Sequence, residues 1–204
     1  MKKLILASNN KKKIKELKEI LNDIPVEVRS LSDENIDIDV IEDGVTFEEN
    51  AKKKAEEIYK FLKDKGEKGF LVLSDDSGLE VDYLNGEPGV YSARYAGEHG
   101  NDSANNKKLL ENLKGVSKEN RGAKFVCQLA MFDEEGNYYT VRGDVKGYIL
   151  EELTGEGGFG YDPLFFYEPF NKTFGELTPD EKNEISHRGV ALKELKEVIS
   201  KIVL

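Results

Sequence analysis

Apolar and polar positions change period several times along this chain. Lys3 to Ala7 is a short apolar run, the pattern of a strand buried on both faces. Ile14, Leu17, Ile20 and Leu21 then recur at helical spacing, behind Asn9 and Asn10, either of which can cap that helix. Val26 to Leu31 reads as a second strand, and Asp33 to Asp43 as an acidic loop. Thr46-Phe47-Glu48-Glu49 has the form of a capping box, with Thr46 at N-cap and Glu49 at N3. The helix behind it is expected to run to about Lys63. At about 100° per residue, Phe47, Ala51, Ile58, Phe61 and Leu62 share one arc of roughly 100°. Lys54 falls inside that arc. Either its stem snorkels to the edge, or an anion waits for its ammonium.

Gly69 to Ser74 reads as an apolar strand that ends in Asp75-Asp76-Ser77-Gly78. Glu87 to Arg94 reads as a loop or a short helical turn, and a helix starts at Asp102 or Ser103 and ends near Lys114-Gly115. Ala123 to Phe132 and Tyr138 to Gly143 flank Asp133-Glu134-Glu135-Gly136-Asn137 as a β-hairpin. Val145 to Leu150 continues as strand, and Leu164 to Tyr167 is a further short one. Thr178-Pro179-Asp180-Glu181 is a second capping box with Pro at N1. A last helix carries Val190, Leu195, Val198, Ile199 and Ile202. Helix and strand alternate early and a hairpin sits in the middle. That order implies α/β with a mixed sheet.

Composition narrows the function. The 204 residues fit one domain or two closely packed lobes. The formal net charge is −10, which argues against a nucleic-acid surface. No apolar run approaches the roughly 20 residues needed to span a bilayer, and the polar turn at Ser8 comes too early for a signal peptide. The single cysteine, Cys127, points to a reducing compartment and reads as a packed thiol rather than a nucleophile. The expected location is therefore cytoplasmic, with no nucleic-acid or membrane partner.

Three segments carry candidate chemistry. Adjacent carboxylates such as Asp75 and Asp76 repel unless a cation or a proton lies between them. Strand ends that open into polar loops are where open α/β folds place ligands, although Asp, Ser and Gly are also ordinary turn residues. Helix starts carry partial positive charge, yet Lys11, Lys12 and Lys13 open the first helix and Ser186-His187-Arg188 the last. A phosphate landing there turns that cost into a gain. The loop Gly155 to Pro163 combines glycines, which permit close backbone approach, with Phe159 and Tyr161, whose flat faces suit a planar ligand. With only His99 and His187, no Cys/His cluster supports zinc. A metal would be oxygen-bound, Mg²⁺ or Mn²⁺, with Glu42, Asp75 and Asp76 as candidate ligands.

Taken in order, Leu6-Ala7-Ser8-Asn9-Asn10 with Lys13, Phe47-Glu48-Glu49-Asn50-Ala51 with Lys54, Ser74 to Leu79, Pro88 to Arg94, Gly157 to Pro163 and Ser186-His187-Arg188-Gly189 resemble the inosine triphosphate pyrophosphatase family. These are the XTP/dITP diphosphatases, and the match covers nearly the whole chain. The resemblance implies one ITPase-like domain over residues 1–204: an elongated mixed β-sheet with flanking helices, forming two lobes around a nucleotide cleft. It implies a homodimer that hydrolyses ITP, dITP and XTP to the monophosphate and pyrophosphate with Mg²⁺. By position, the loop Ser8, Asn9, Asn10, Lys11, Lys12 and Lys13 would meet the substrate, with Ser8, Asn10 and Lys13 on the triphosphate. Lys54 would join them as a substrate-binding cation. Glu42 and Asp76 would hold the metal, Asp76 also accepting the proton of the attacking water. Ser77, Phe159, Gly160, Tyr161, Asp162, Lys182, His187 and Arg188 would bind the nucleotide. Lys12 departs from the family pattern, in which a smaller residue is common. Two other readings are a Maf-type pyrophosphatase with another base preference and a nucleotide sensor that does not turn over.

Overall fold

The computed structural model describes residues 1–203. A seven-stranded mixed sheet runs in the order β2-β1-β3-β4-β5-β6-β7. Its strands are β1 Lys2–Leu6, β2 Val26–Ser30, β3 Phe70–Val81, β4 Gly122–Asp133, β5 Tyr138–Ile149, β6 Phe165–Tyr167 and β7 Lys172–Thr173. β1 lies parallel to both β2 and β3, while β6 is antiparallel to β5 and β7. Among the described residues five α-helices accompany them: α1 Lys11–Ile20, α2 Phe47–Asp64, α3 Asp102–Asn112, α4 Pro179–Ile185 and α5 His187–Val203.

The chain divides into two compact units, neither continuous in sequence. The first comprises Met1–Asp76, Cys127–Gly143 and Gly189–Leu204, the second Ser77–Val126 and Asp144–Arg188. The first unit has two apolar clusters. One gathers Leu4, Leu6, Leu17, Leu71 and Leu73 with Leu192 and Leu195 of α5. The other gathers Ile5, Val72 and Phe132 with Ala51, Ala55, Ile58 and Leu62 of α2. The strand faces explain the split: consecutive residues of β1 and β3 point to opposite sides, and each side is covered by helices. The second unit has its own core, in which Leu79, Val81 and Phe125 meet Leu109 and Leu113 of α3 and Phe165 and Phe174.

The helix starts follow the expected chemistry with one correction. Asn10 caps α1, its side chain accepting from the N–H groups of Lys12 and Lys13. Thr178 and Glu181 form the full reciprocal capping box of α4. At α2, Thr46 accepts from Glu49 N–H, but Glu49 Oε2 reaches one residue further and accepts from Val45 N–H at 2.8 Å. The box is therefore one-sided, and the glutamate braces the preceding loop instead.

Two other expectations change. β3 does not stop at Ser74; it runs through Asp75, Asp76, Ser77 and Gly78 to Val81. The turn-forming residues sit inside a strand because Leu79 and Val81 are fully buried beyond them. The strand expected from Tyr138, with its continuation from Val145, is the twelve-residue β5 and ends at Ile149. Val190 is 41% exposed, so the buried stripe at the start of α5 is carried by Ala191 and Leu192. No helix among the described residues is long and apolar enough to cross a membrane.

Candidate active site

In the first unit, β3 delivers Asp75 and Asp76 as buried carboxylates, 5% and 6% exposed. Ser74, one step earlier, donates its hydroxyl to the Ala51 carbonyl and so fastens α2 to β3. Lys54 lies less than one turn further along α2. It is buried, and its ammonium donates to the Asp75 carbonyl at 2.9 Å. The same Nζ is 3.0 Å from Glu42 Oε1 and 3.7 Å from Asp76 Oδ1. Lys54 therefore does not snorkel; it is the shared cation of two carboxylates. Glu42 reaches it from the acidic loop, which is anchored where fully buried Asn50 accepts from Gly44 N–H at 2.8 Å.

The two aspartates differ in how they are held. Asp75 Oδ1 pairs with Lys13 Nζ at 2.8 Å, and its Oδ2 accepts from Cys127 Sγ at 3.6 Å. Cys127 is the packed thiol expected, but its proton faces a carboxylate. Asp75 thus orients Lys13 and is itself fixed. Asp76 Oδ2, by contrast, is buried without a hydrogen-bond partner among the described residues. Burial pushes Asp76 up from 3.8 to about 6; Lys54 opposes the rise and Glu42 adds to it. A buried carboxylate oxygen with nothing to bind is costly, and a cation or water is what such an atom lacks. Among the described residues no three His, Cys, Asp or Glu side chains cluster as a metal cage. Glu42 and Asp76 remain as a two-carboxylate set, the kind that holds Mg²⁺ together with substrate phosphates and water.

The Ser8–Lys13 loop divides its labour. Ser8 accepts from Asn10 N–H at 3.0 Å, and Asn10 caps α1. Asn9 is turned to Ser32, accepting from its N–H and its hydroxyl. Lys11 and Lys12 are exposed, while half-buried Lys13 is the side chain this loop brings to the acidic pair.

The second unit holds the other expected residues. Asp162 is buried; its Oδ2 accepts from Phe159 N–H at 2.9 Å and pairs with Lys182 Nζ at 2.9 Å. Lys182 comes from α4 and Arg188 from the first turn of α5. The Lys182 ammonium lies 4.5 Å from the centre of the Phe159 ring, and the Arg188 guanidinium 5.8 Å. Arg188 also reaches Ser77 Oγ at 3.3 Å. His187 is stacked on Phe125, with ring centres 4.8 Å apart. Gly158 is required where it stands, because its φ is +71° and a Cβ would collide with the Asp162 carboxylate. Tyr161 corrects the sequence reading. Its ring is buried in the core and its hydroxyl donates to the Ser92 carbonyl at 2.7 Å, so it offers no flat face to a ligand. Phe159 alone of the pair keeps a partly exposed ring.

Sequence reasoning left two contributors out. Asp102 and Asn106 of α3 both bind Gly160, next to Phe159. The signal was available: Asn106 interrupts the stripe that Leu109 and Leu113 continue.

The sequence profile of the Ham1 family matches residues 4–198. The chain is 59% identical to the dITP/XTP pyrophosphatase of Clostridium perfringens, over 100% of both chains. It is 49% identical to the protein of the same name from Bacillus subtilis, over 98% of each. Among solved structures, the Staphylococcus aureus Ham1 protein superposes with a TM-score of 0.86 at 42% identity, covering 98% of this chain and 100% of that one. The dITP/XTP pyrophosphatase of Mycobacterium abscessus gives 0.75 at 44% identity, covering 95% and 98%.

Proposed function

Since the chain belongs to the Ham1 family, we propose that it is a nucleoside triphosphate pyrophosphatase acting on non-standard purine nucleotides of the dITP and XTP kind. The observation that carries the site assignment is Asp76, a buried carboxylate with one unbonded oxygen and a proton affinity raised to about 6. Lys54 lies beside it. The family match favours this reading over a Maf-type base preference, and the poised carboxylate favours it over a sensor without turnover.

Glu42 and Asp76 would hold Mg²⁺, with Mn²⁺ as a substitute. Such an ion, when bound, neutralises phosphate oxygens and acidifies coordinated water. Asp76 takes the proton of the water that attacks the α-phosphorus; a base near neutral in pKa suits that task. The bond between that phosphorus and the oxygen bridging to the β-phosphate breaks, and pyrophosphate leaves. Lys13 and Lys54 stabilise charge on the phosphates, as phosphoryl transfer demands positioning more than covalent catalysis. The Ser8 hydroxyl adds a donor, while Asn10, which already holds the N–H groups of Lys12 and Lys13, shapes the loop around the phosphates. Asn9, Lys11 and Lys12 complete that loop.

For the base we assign Phe159 as the stacking face, with Gly160 and Tyr161 contributing backbone. Lys182 and Arg188, gathered on that ring, are donors for a 6-oxo group; Asp162 holds the first and Ser77 the second, and His187, stacked on Phe125, would bind the nucleotide beside them. A site built to donate penalises adenine, which presents a donor there, because its own groups are left unpaired. Action as a homodimer in the cytoplasm is part of the same proposal.

The test is pyrophosphate release from dITP, XTP, ITP, GTP and ATP side by side, with and without Mg²⁺. Metal-dependent release from the first three, well above that from ATP, is expected. No metal-dependent release from any of them refutes the proposal.

A further inference from the structure

We infer that Asp102 and Asn106, one turn apart on α3, are positioning residues that set the Phe159 ring for the base. The inference rests on the assignment of Phe159 as the stacking face. Gly160 is held from both sides: its N–H donates to Asp102 Oδ2 at 2.8 Å, and its carbonyl accepts from Asn106 Nδ2 at 2.9 Å. Its φ of +61° gives the loop a left-handed step that only glycine takes without strain. The N–H before the Phe159 side chain is fixed by Asp162 and the N–H after it by Asp102. Both torsions of Phe159 are therefore clamped. The next ring, Tyr161, is sunk in the core and tied to Ser92. The Phe159 backbone is thus restrained on both sides, and its ring turns chiefly about its own side-chain bonds.

Asn106 has the marks of a residue kept for this contact. It is 6% exposed, and its Oδ1 has no hydrogen-bond partner among the described residues. It sits on the helix face that carries Leu109 and Leu113 into the core. An apolar residue there would avoid an unsatisfied buried acceptor, so helix packing alone does not call for asparagine. Asp102 is exposed, and its removal leaves the core untouched.

The experiment compares Asp102→Ala, Asn106→Leu, Asp102→Asn and Phe159→Ala with the unaltered enzyme, using dITP as substrate and inorganic pyrophosphate as a base-free inhibitor. Asp102→Ala and Asn106→Leu should each raise KM for dITP about threefold to tenfold, the scale of one lost hydrogen bond. Their kcat and their inhibition constant for pyrophosphate should stay within about twofold, a margin small beside one hydrogen bond. Asp102→Asn retains an acceptor oxygen and should restore KM. Equal weakening of dITP and pyrophosphate would mark general damage and overturn the inference. So would an unchanged KM in both α3 variants while Phe159→Ala raises it. If Phe159→Ala itself leaves KM unchanged, the stacking assignment fails and the inference falls with it, while the pyrophosphatase activity remains measurable.

Discussion

Each unit buries an aspartate beside a lysine, and the two pairs are built in opposite ways. Asp162 in the second unit is saturated: one oxygen takes both the Phe159 N–H and the Lys182 ammonium. Asp76 in the first unit is starved: its lysine stands 3.7 Å off and is shared with Glu42, and its second oxygen has no partner among the described residues. Burial by itself does not make a carboxylate reactive. Burial with incomplete satisfaction does, because the charged form is then costly enough for a proton or a cation to decide its state. The saturated aspartate holds architecture, and the starved one is left to act.

The contrast can be broken most sharply at Asp76 itself. Asp76→Asn should lower kcat about 10³-fold, within the range of a lost general base, while the protein stays folded. Steady-state rates with dITP, read beside circular dichroism, check this. Asp162→Ala should do the reverse first. It removes the carboxylate from a buried ammonium and should cost about 3–5 kcal/mol of stability, read from denaturant midpoints.

A pH series sharpens the same comparison. Asp76 binds its proton more tightly folded, near pH 6, than unfolded, near 3.8. Its contribution to stability is therefore full below the unfolded value and is lost as pH rises through about 6, by up to roughly 3 kcal/mol in the metal-free protein. Subtracting the Asp76→Asn curve isolates that slope, and a flat difference would contradict it. Lys54→Met removes the cation that restrains this rise, so the acid limb of the rate profile should move to higher pH. The smallest effect belongs at the surface. Lys60, 3.3 Å from Glu56 across one helical turn, should change stability by no more than about 0.5 kcal/mol when replaced by Ala.

The sequence was most informative where a local rule and a buried stripe agreed. A cap at Asn9 or Asn10, the cap at Thr178 and the inward position of Lys54 each follow from spacing alone, and the structure has Asn10, Thr178 and Lys54 in those places. It misled where two local rules conflicted. Asp75 to Gly78 has turn composition, yet the alternation beyond it carries β3 to Val81, and tertiary burial decided the outcome. Tyr161 looked like Phe159's twin in a glycine loop. Only the fold distinguishes them, by placing the Ser92 carbonyl under one hydroxyl. The partners of Asp75 were illegible for a similar reason: Lys13 and Cys127 lie 62 and 52 residues away in the chain.

The discontinuity of the first unit has a consequence for how the protein is made. Its opening segment, up to Asp76, leaves the ribosome first, but Leu4, Leu17 and Leu71 bury themselves against Leu192 and Leu195. During synthesis that apolar surface must wait for almost the entire chain. The second unit draws nothing from beyond Arg188, so its core makes no demand on the rest of α5. The half that carries Asp76 is the last to be sealed, and a nascent chain stalled before α5 would expose sticky surface without yet having a working enzyme.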